Sequence, residues 1–465
     1  MTTASDLTRF SLKTRKKIAI VGSGIAGLGC AHFLHPHHDI DLFEKNTKVG
    51  GHSNTITVTD QLTQKTIHVD TGFMVFNTIT YPNLTRLFKQ LGVDCQPTDM
   101  SFSVNHGPSG LQWNGAGWNK LFGQRKNILN LRFWRMLLDL NRFNQGARQD
   151  IDSGFADSLT VEAYAQVKGF GDDLLQWFLL PMSASIWSTD PLKMRDFPAR
   201  TLLQFFYNHG FLGMHGHYQW HTVKEGSQQY VNKLIAPFSD AIYTDCGVEQ
   251  VIQAEGGHGV TLILKNGQQA QYDCVILACH GDQALRLLNK PTQSEENCLK
   301  SFQYEKNLAQ LHCDTSVMPS EKRCWGSWNY ALIRDNTASV SPVQSSPSSG
   351  NIEGYRPTTH YWMNNLQHIS METPLFVSLN ADFAVDPDKV IETIHYEHPV
   401  YTLENIQVQK HMDLLNQQPE FEATDSQSIF YCGSYFRYGF HEDAFSSAVN
   451  LCARLLGKPV DELWQ

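Results

Sequence analysis

The stretch "KIAIVGSGIAGLGCAHFLHPHHDIDLFEKN", Lys17–Asn46, decides the fold. Lys17–Val21 is a short apolar run, read as a buried strand. Gly22, Gly24 and Gly27 follow it in the spacing GxGxxG. The first glycine permits a tight turn, the second lets a pyrophosphate approach the backbone, and the third lets helix and sheet pack closely. Ile25–Leu34 is then a helix whose N-terminal N–H groups, with Ser23, Ile25 and Ala26 beside them, favour an anion. Asp39–Phe43 is the second strand. Glu44 ends it, placed to accept hydrogen bonds from a ribose diol, and Lys45 follows. Strand, glycines, helix, strand and acid in this order predict a dinucleotide-binding α/β unit. An ordinary glycine-rich strand–helix turn is the plainer alternative.

At 465 residues the chain is too long for one ordinary core, and two or three domains are expected. Hydrophobic residues make up 41% and charged ones 18%, which excludes wholesale disorder. The abundance of Phe, Tyr and Trp hints at broad apolar pockets. A formal net charge of -9 gives no chain-wide attraction to nucleic acid. Ten cysteines are scattered without a CxxC pair, which points to a reducing compartment. Met1–Phe10 does not read as a secretory signal, and no run of eighteen apolar residues marks a span. A cytoplasmic protein is expected, with peripheral attachment at the inner membrane left open.

The residues after Glu44 choose among dinucleotides. "KVGGHSNT", Lys48–Thr55, adds a second glycine pair, and "HVDTGF", His68–Phe73, adds an Asp-x-Gly after a strand. Here the chain resembles flavoproteins of the amine oxidase and phytoene desaturase superfamily. The resemblance implies FAD, with Gly50, Gly51 and His52 beside the diphosphate and ribityl chain and Asp70 and Gly72 nearby. His52 stands where the superfamily usually has arginine. "GVEQVIQ" resembles the stretch whose backbone holds adenine, near Val248. "IFYCGSYFRYGFHEDAFSSAVNLCARLLG" resembles the closing signature, implying contacts from Gly433, Ser434, Glu442, Asp443 and Ala444. Glu442 and Asp443 also suit the first turn of a helix. Ser434 replaces a common acid and Ala444 a common glycine.

Together with "LHCDTSVMP", "WGSWNY", "MNNLQ" and "HPVY", these segments resemble a bacterial group of predicted NAD/FAD-binding proteins, a branch of the flavin-containing amine oxidoreductases. The implied fold is α/β: a Rossmann-like FAD-binding domain assembled from discontinuous segments, with an inserted α+β substrate domain. The FAD-binding segments are expected at 14–80, 221–298 and 425–465, and the substrate segments at 81–220 and 299–424. Genes of this group often neighbour a cyclopropane-fatty-acid-synthase-like methyltransferase, which implies such a partner and a fatty-acyl or other lipid substrate.

Further local readings follow. "YPNLTRLFKQLGV" is a helix closed by Gly92, and Asn266-Gly267 is a hairpin turn. Helices after Leu159 are expected to break near Pro181. Arg125–Phe143 reads as one basic, apolar helix, either covering a pocket or lying against an anionic bilayer. Asp335–Pro357 reads as a surface loop or a lid.

No GxSxG elbow, HExxH or P-loop is present, so hydrolase and metalloprotease readings are poor. His215, His217 and His221 lack a convincing fourth ligand, so no metal is expected. His441 is the leading ionisable candidate: it can meet the reduced flavin or a substrate proton, or simply lock its loop. Lys306 occupies the region where amine oxidases hold a water near the flavin, and period-two alternation allows either strand face. His312 and His360 are weaker candidates. Trp187, Trp325, Trp328, Tyr361 and Trp362 could wall an apolar channel. The chain lacks the "SGGC" of covalent flavin attachment, so noncovalent FAD is expected. The functional expectations are an FAD-dependent oxidoreductase acting on a fatty-acyl or other lipid substrate, an amine oxidase acting on a small amine or polyamine, or a flavin-binding partner of a lipid methyltransferase.

Overall fold

The computed structural model describes residues 12, 14–60, 64–212, 218–256, 258–336, 354–370, 372–416 and 427–465. Its centre is the unit read from the glycines. β1 (Lys17–Val21), α1 (Ile25–Leu34) and β2 (Asp39–Phe43) form as expected. The strands are Ile-, Val- and Leu-rich because both faces of the sheet are covered. Five parallel strands stand in the order Ile242–Tyr243, β2, β1, Cys274–Leu277, Ile429–Tyr431. Three distant stretches of chain therefore build one sheet.

α1 is buried nearly all round. It lies between this sheet and the last helix, His441–Leu456, so an amphipathic stripe would serve no purpose. Gly29 permits the contact, because a Cβ there would come within 2.9 Å of the Phe445 ring.

A second, seven-stranded mixed sheet carries the inserted domain. Its order is Val390–Val400, Gln303–His312, Phe376–Leu379, Tyr355–Trp362, Trp328–Arg334, Phe102–His106, Leu111–Asn114. Helices of residues 131–208 pack on it around Phe133, Phe143, Phe178 and Phe206. A small sheet joins Phe76–Asn77 and Cys95–Thr98 to Trp220–Val223, bridging the boundaries expected at 80 and 220.

Two helix readings need correction. Arg125–Phe143 is not one helix: a 3-10 turn, Arg125–Leu129, is followed by a helix at Leu131–Asp152. Asn130 separates them, accepting hydrogen bonds from the N–H groups of Arg132 and Phe133 at 3.1 and 3.3 Å. Nor does Pro181 break its helix. The chain is helical from Asp172 to Trp187, with a π turn at Leu175–Leu179 that accommodates the missing N–H. The Asn266-Gly267 turn forms between Val260–Leu264 and Gln269–Tyr272, with Gly267 at φ +82. Residues 1–10, His215, His217 and residues 337–353 of the Asp335–Pro357 stretch lie outside the described residues. Among the described residues no helix is long and apolar enough to cross a membrane.

Candidate functional site

The site begins at the glycines. A Cβ on Gly27 would lie 1.9 Å from the Gly22 oxygen, so this position is closed by packing. Gly24 is the opposite case: no atom lies within 4 Å of where its Cβ would stand. Gly24 is also the N-cap of α1, and no side chain caps the helix. The first N–H groups of α1 therefore open onto space that a side chain would fill. Ile25 and Ala26 are buried and can offer only backbone. Gly50 N–H donates to the Ser23 oxygen at 3.0 Å. Gly51, at φ +59, comes so close that its Cβ would be 3.1 Å from Gly24 Cα. The two glycine segments make one wall.

Glu44 is buried at the end of β2. Its Oε2 accepts from Ser23 N–H and Oγ–H at 3.0 and 2.6 Å, and its Oε1 from Asn46 N–H and Nδ2–H at 2.9 and 2.8 Å. A ribose diol can exchange with the two side-chain donors. Lys45 is exposed beside it. Val248 stands close by, since Cys246 N–H bonds the Glu44 oxygen at 2.8 Å.

The far end of the wall is a cluster of rings. The His52 ring stacks on Tyr396, with centroids 4.7 Å apart, and lies 5.4 Å from His398. Its Nε2 is buried without a hydrogen-bond partner. Gly72 packs against the same segment, where a Cβ would be 2.2 Å from the His52 oxygen. His441 begins the last helix and stacks on Phe73 at 4.0 Å. Its Nε2 is 2.7 Å from the Tyr230 hydroxyl and 3.4 Å from Ser53 Oγ, and Tyr230 and Ser53 also bond each other. His280 stacks on Tyr304 at 4.1 Å.

Burial, and then the neighbouring rings, hold these imidazoles neutral. His52 falls to about 4 through burial and His280. His398 and His441 fall to about 3 through burial and His52. Burial lowers His280 to about 4. Near neutral pH the cluster therefore presents uncharged rings. Tyr230, Ser53, His280, Tyr396 and His398 were not singled out from the sequence. Ser53 and His398 had a trace there, inside "KVGGHSNT" and "HPVY".

The acids expected at the cofactor are each engaged by donors of the protein. Asp70 is fully buried. It accepts from Thr55 Oγ1, Ser227 N–H, Ser227 Oγ and Gln367 Nε2, all within 3.0 Å, which fills its lone pairs. Glu442 accepts from the backbone N–H groups of Asn83 and Leu84 at 3.0 and 2.9 Å, capping the helix Pro82–Gln90. Asp443 accepts from Phe440 N–H at 3.0 Å, capping its own helix. Burial pushes Glu442 up to about 7 and Asp70 and Asp443 to about 6. Ala444 is packed in the core. Gly433 N–H is tied to Ser447 Oγ at 2.8 Å, and Ser434, half-buried, opens the next turn.

Lys306 also stands apart. Asn307 donates to His398 at 2.9 Å and pairs across the strands with Tyr396, so its face of the strand meets His52. Lys306 is exposed and, by alternation, on the other face. His312 and His360 both bond Ser378 Oγ at 2.6 Å inside the sheet. Of the candidate wall residues, Trp187 lies 6.2 Å from Phe440, next to His441. Trp325 and Trp362 pack in a separate core with Phe376. Among the described residues no group of three His, Cys, Asp or Glu could hold a metal.

These residues fit FAD. The uncapped α1 N-terminus and open Gly24 suit its diphosphate, Glu44 its ribose, and the orphaned His52 nitrogen a hydrogen-bonding group beyond Gly51.

The fold recurs in known proteins. A CLA-producing fatty acid isomerase from P. acnes aligns over 94% of this chain and 98% of its own, with TM-score 0.61 and 13% identity. Cyclohexylamine oxidase from Brevibacterium oxydans IH-35A aligns over 94% and 99%, with TM-score 0.61 and 14% identity. Putrescine oxidase bound to putrescine gives TM-score 0.60 at 12% identity, over 94% and 98%. At these identities the likeness is one of fold. A prenylcysteine oxidase 1-like protein of Bos taurus is 41% identical over 81 residues, 17% of this chain and 15% of that protein's length. The family model described as flavin containing amine oxidoreductase matches residues 25–313. The chain thus belongs to the flavin-containing amine oxidoreductases, as an FAD-dependent oxidoreductase.

Proposed function

We propose that this oxidoreductase acts on an uncharged amine carrying an apolar body, with FAD bound noncovalently. The observation that carries the reading is the ring cluster of His52, Tyr396, His398, Phe73 and His441, whose imidazoles are all held neutral. FAD, when bound, supplies the acceptor for the two electrons of a C–H bond. The chain's own part is to position the substrate and exclude water. Flat uncharged rings orient a neutral nitrogen and its carbon, and they offer a protonated amine no counter-ion. Asp70, Glu442 and Asp443 are engaged by N–H and O–H donors of the protein, which disfavours a polyamine needing a carboxylate for its distant ammonium. Phe440, stacked near Phe205 and Trp187, extends the apolar wall for the substrate's body.

A fatty-acyl substrate is the second reading. It rests on the same apolar wall and on the full-length fold likeness to the fatty acid isomerase. One experiment separates the two: anaerobic bleaching of the bound flavin by apolar monoamines, putrescine and fatty acids in parallel. Bleaching by monoamines, with a rate that rises as the amine deprotonates, supports the proposal. Bleaching by fatty acids alone supports the second reading. Inertness to both, with copurification of a lipid methyltransferase, would favour a binding role.

A further inference from the structure

We infer that the segment Trp118–Leu138 is a docking surface for an anionic lipid bilayer. The helix Leu131–Asp152 is apolar on two opposite sides. Phe133, Met136, Phe143 and Ala147 face the core. Leu131, Trp134 and Leu138, one helical turn apart, face outward at 75%, 38% and 64% exposure. Leu129, at 88%, and Ile128 stand on the turn before it, and Trp118 is 60% exposed.

The outward groups form one patch. Trp118 stacks on Phe122, Phe122 lies 5.2 Å from Trp134, and Trp134 Nε1 donates to the Ile128 oxygen at 2.9 Å. A folded chain keeps so many large apolar side chains together in water only where something covers them.

Charge identifies the occupant. From Ala116 to Leu138 the sequence holds Lys120, Arg125, Lys126, Arg132 and Arg135 and no acid, in a chain of net charge -9. Arg132 is paired with Asp173 and stacks on Trp177. Lys120, Arg125, Lys126 and Arg135 have no carboxylate partner among the described residues. Lys126, Asn130 and Arg132 also edge a surface recess at the foot of the patch, suited to a headgroup phosphate. Tryptophans at the polar boundary, aliphatic tips beyond them and basic residues around them are the pattern of a helix seated in a bilayer interface. A second copy of the chain would set these cations against each other across a two-fold axis. The inference is independent of which substrate the site takes.

The FAD-loaded full chain is to be floated with phosphatidylcholine vesicles, with and without about 30% phosphatidylglycerol. Binding to the anionic vesicles, reversed by salt and accompanied by a blue shift of tryptophan emission, is the expected result. Leu129→Asp with Leu131→Asp should abolish it while the flavin spectrum is kept. Lys126→Glu with Arg135→Glu should weaken it about thirtyfold or more. Equal binding by wild type and both variants would overturn the inference, as would no binding at all. A dimer that the aspartate variant turns into a monomer, without vesicle binding, would assign the surface to a second copy instead.

Discussion

The Tyr230 hydroxyl lies 2.7 Å from Nε2 of His441, joining residues 211 positions apart. One stands on the helix Gln228–Ile235, before the edge strand Ile242–Tyr243, and the other follows the strand Ile429–Tyr431 at the opposite edge of the parallel sheet. The bond, with Ser53 beside it, fixes the first residue of the last helix against the Gly50–Ser53 wall. A lowered imidazole pKa makes His441 a weak proton acceptor at neutral pH, while its neutral ring still holds a hydrogen bond with Tyr230.

Tyr230→Phe should therefore lower stability by about 1 kcal/mol and reduce turnover. A locking role predicts that His441→Gln lowers kcat without moving the acidic limb of the pH–rate profile. A general base predicts that the limb moves. Steady-state kinetics across pH decides between them.

Gly24→Ala and Gly27→Ala should behave oppositely. The first has open space for its methyl group, so the variant should fold normally and lose flavin affinity. The second drives a methyl into the Gly22 carbonyl and should lose several °C of Tm, about 1–3 kcal/mol, along with the flavin. Thermal melting and flavin content, measured together, check the pair.

Glu442→Ala should cost about 2 kcal/mol or more, because two buried N–H groups of Pro82–Gln90 lose their acceptor. Glu442→Gln keeps one acceptor oxygen and should cost less. Urea unfolding gives both values. A loss of flavin with unchanged stability would return Glu442 to the cofactor.

Acid should destabilise the protein. His52, His209, His280, His312, His360, His398 and His441 all titrate at about 3 to 4 in the fold, against about 6.5 unfolded. Below pH 6.5 the unfolded chain binds those protons first, so their stabilisation is present above 6.5 and fades as pH falls. Asp70, Glu442 and Asp443 act in the opposite direction. Their raised values make the fold bind protons first, and their contribution is lost as pH rises through 6 to 7. The histidines are more numerous, so Tm should fall between pH 7.5 and 5. Glu442→Gln removes one opposing group and should steepen that fall. Melting curves at both pH values test each statement.

The sequence by itself determined β1, α1 and β2 to the residue, the Asn266-Gly267 turn, and the final strand and helix. These are local matters: an apolar run, glycines at fixed spacing and an acid report their own backbone geometry. It did not show that Gly51 comes to within van der Waals reach of Gly24, because the two glycine segments meet only in the folded chain. Tertiary structure alone decided what two of the acids do. Asp70 and Glu442 meet their donors only there, because Ser227 and Gln367 for the one and Asn83 and Leu84 for the other are remote in sequence, whereas Asp443 caps its own helix locally through Phe440. It decided that Asn307 rather than Lys306 shares a strand face with Tyr396 and His398, since register between strands about ninety residues apart has no local signature. It also gathered His52, His280, His398 and His441 into one neutral cluster. Each imidazole owes its low pKa to burial among neighbours, and burial belongs to the folded assembly and to no residue alone.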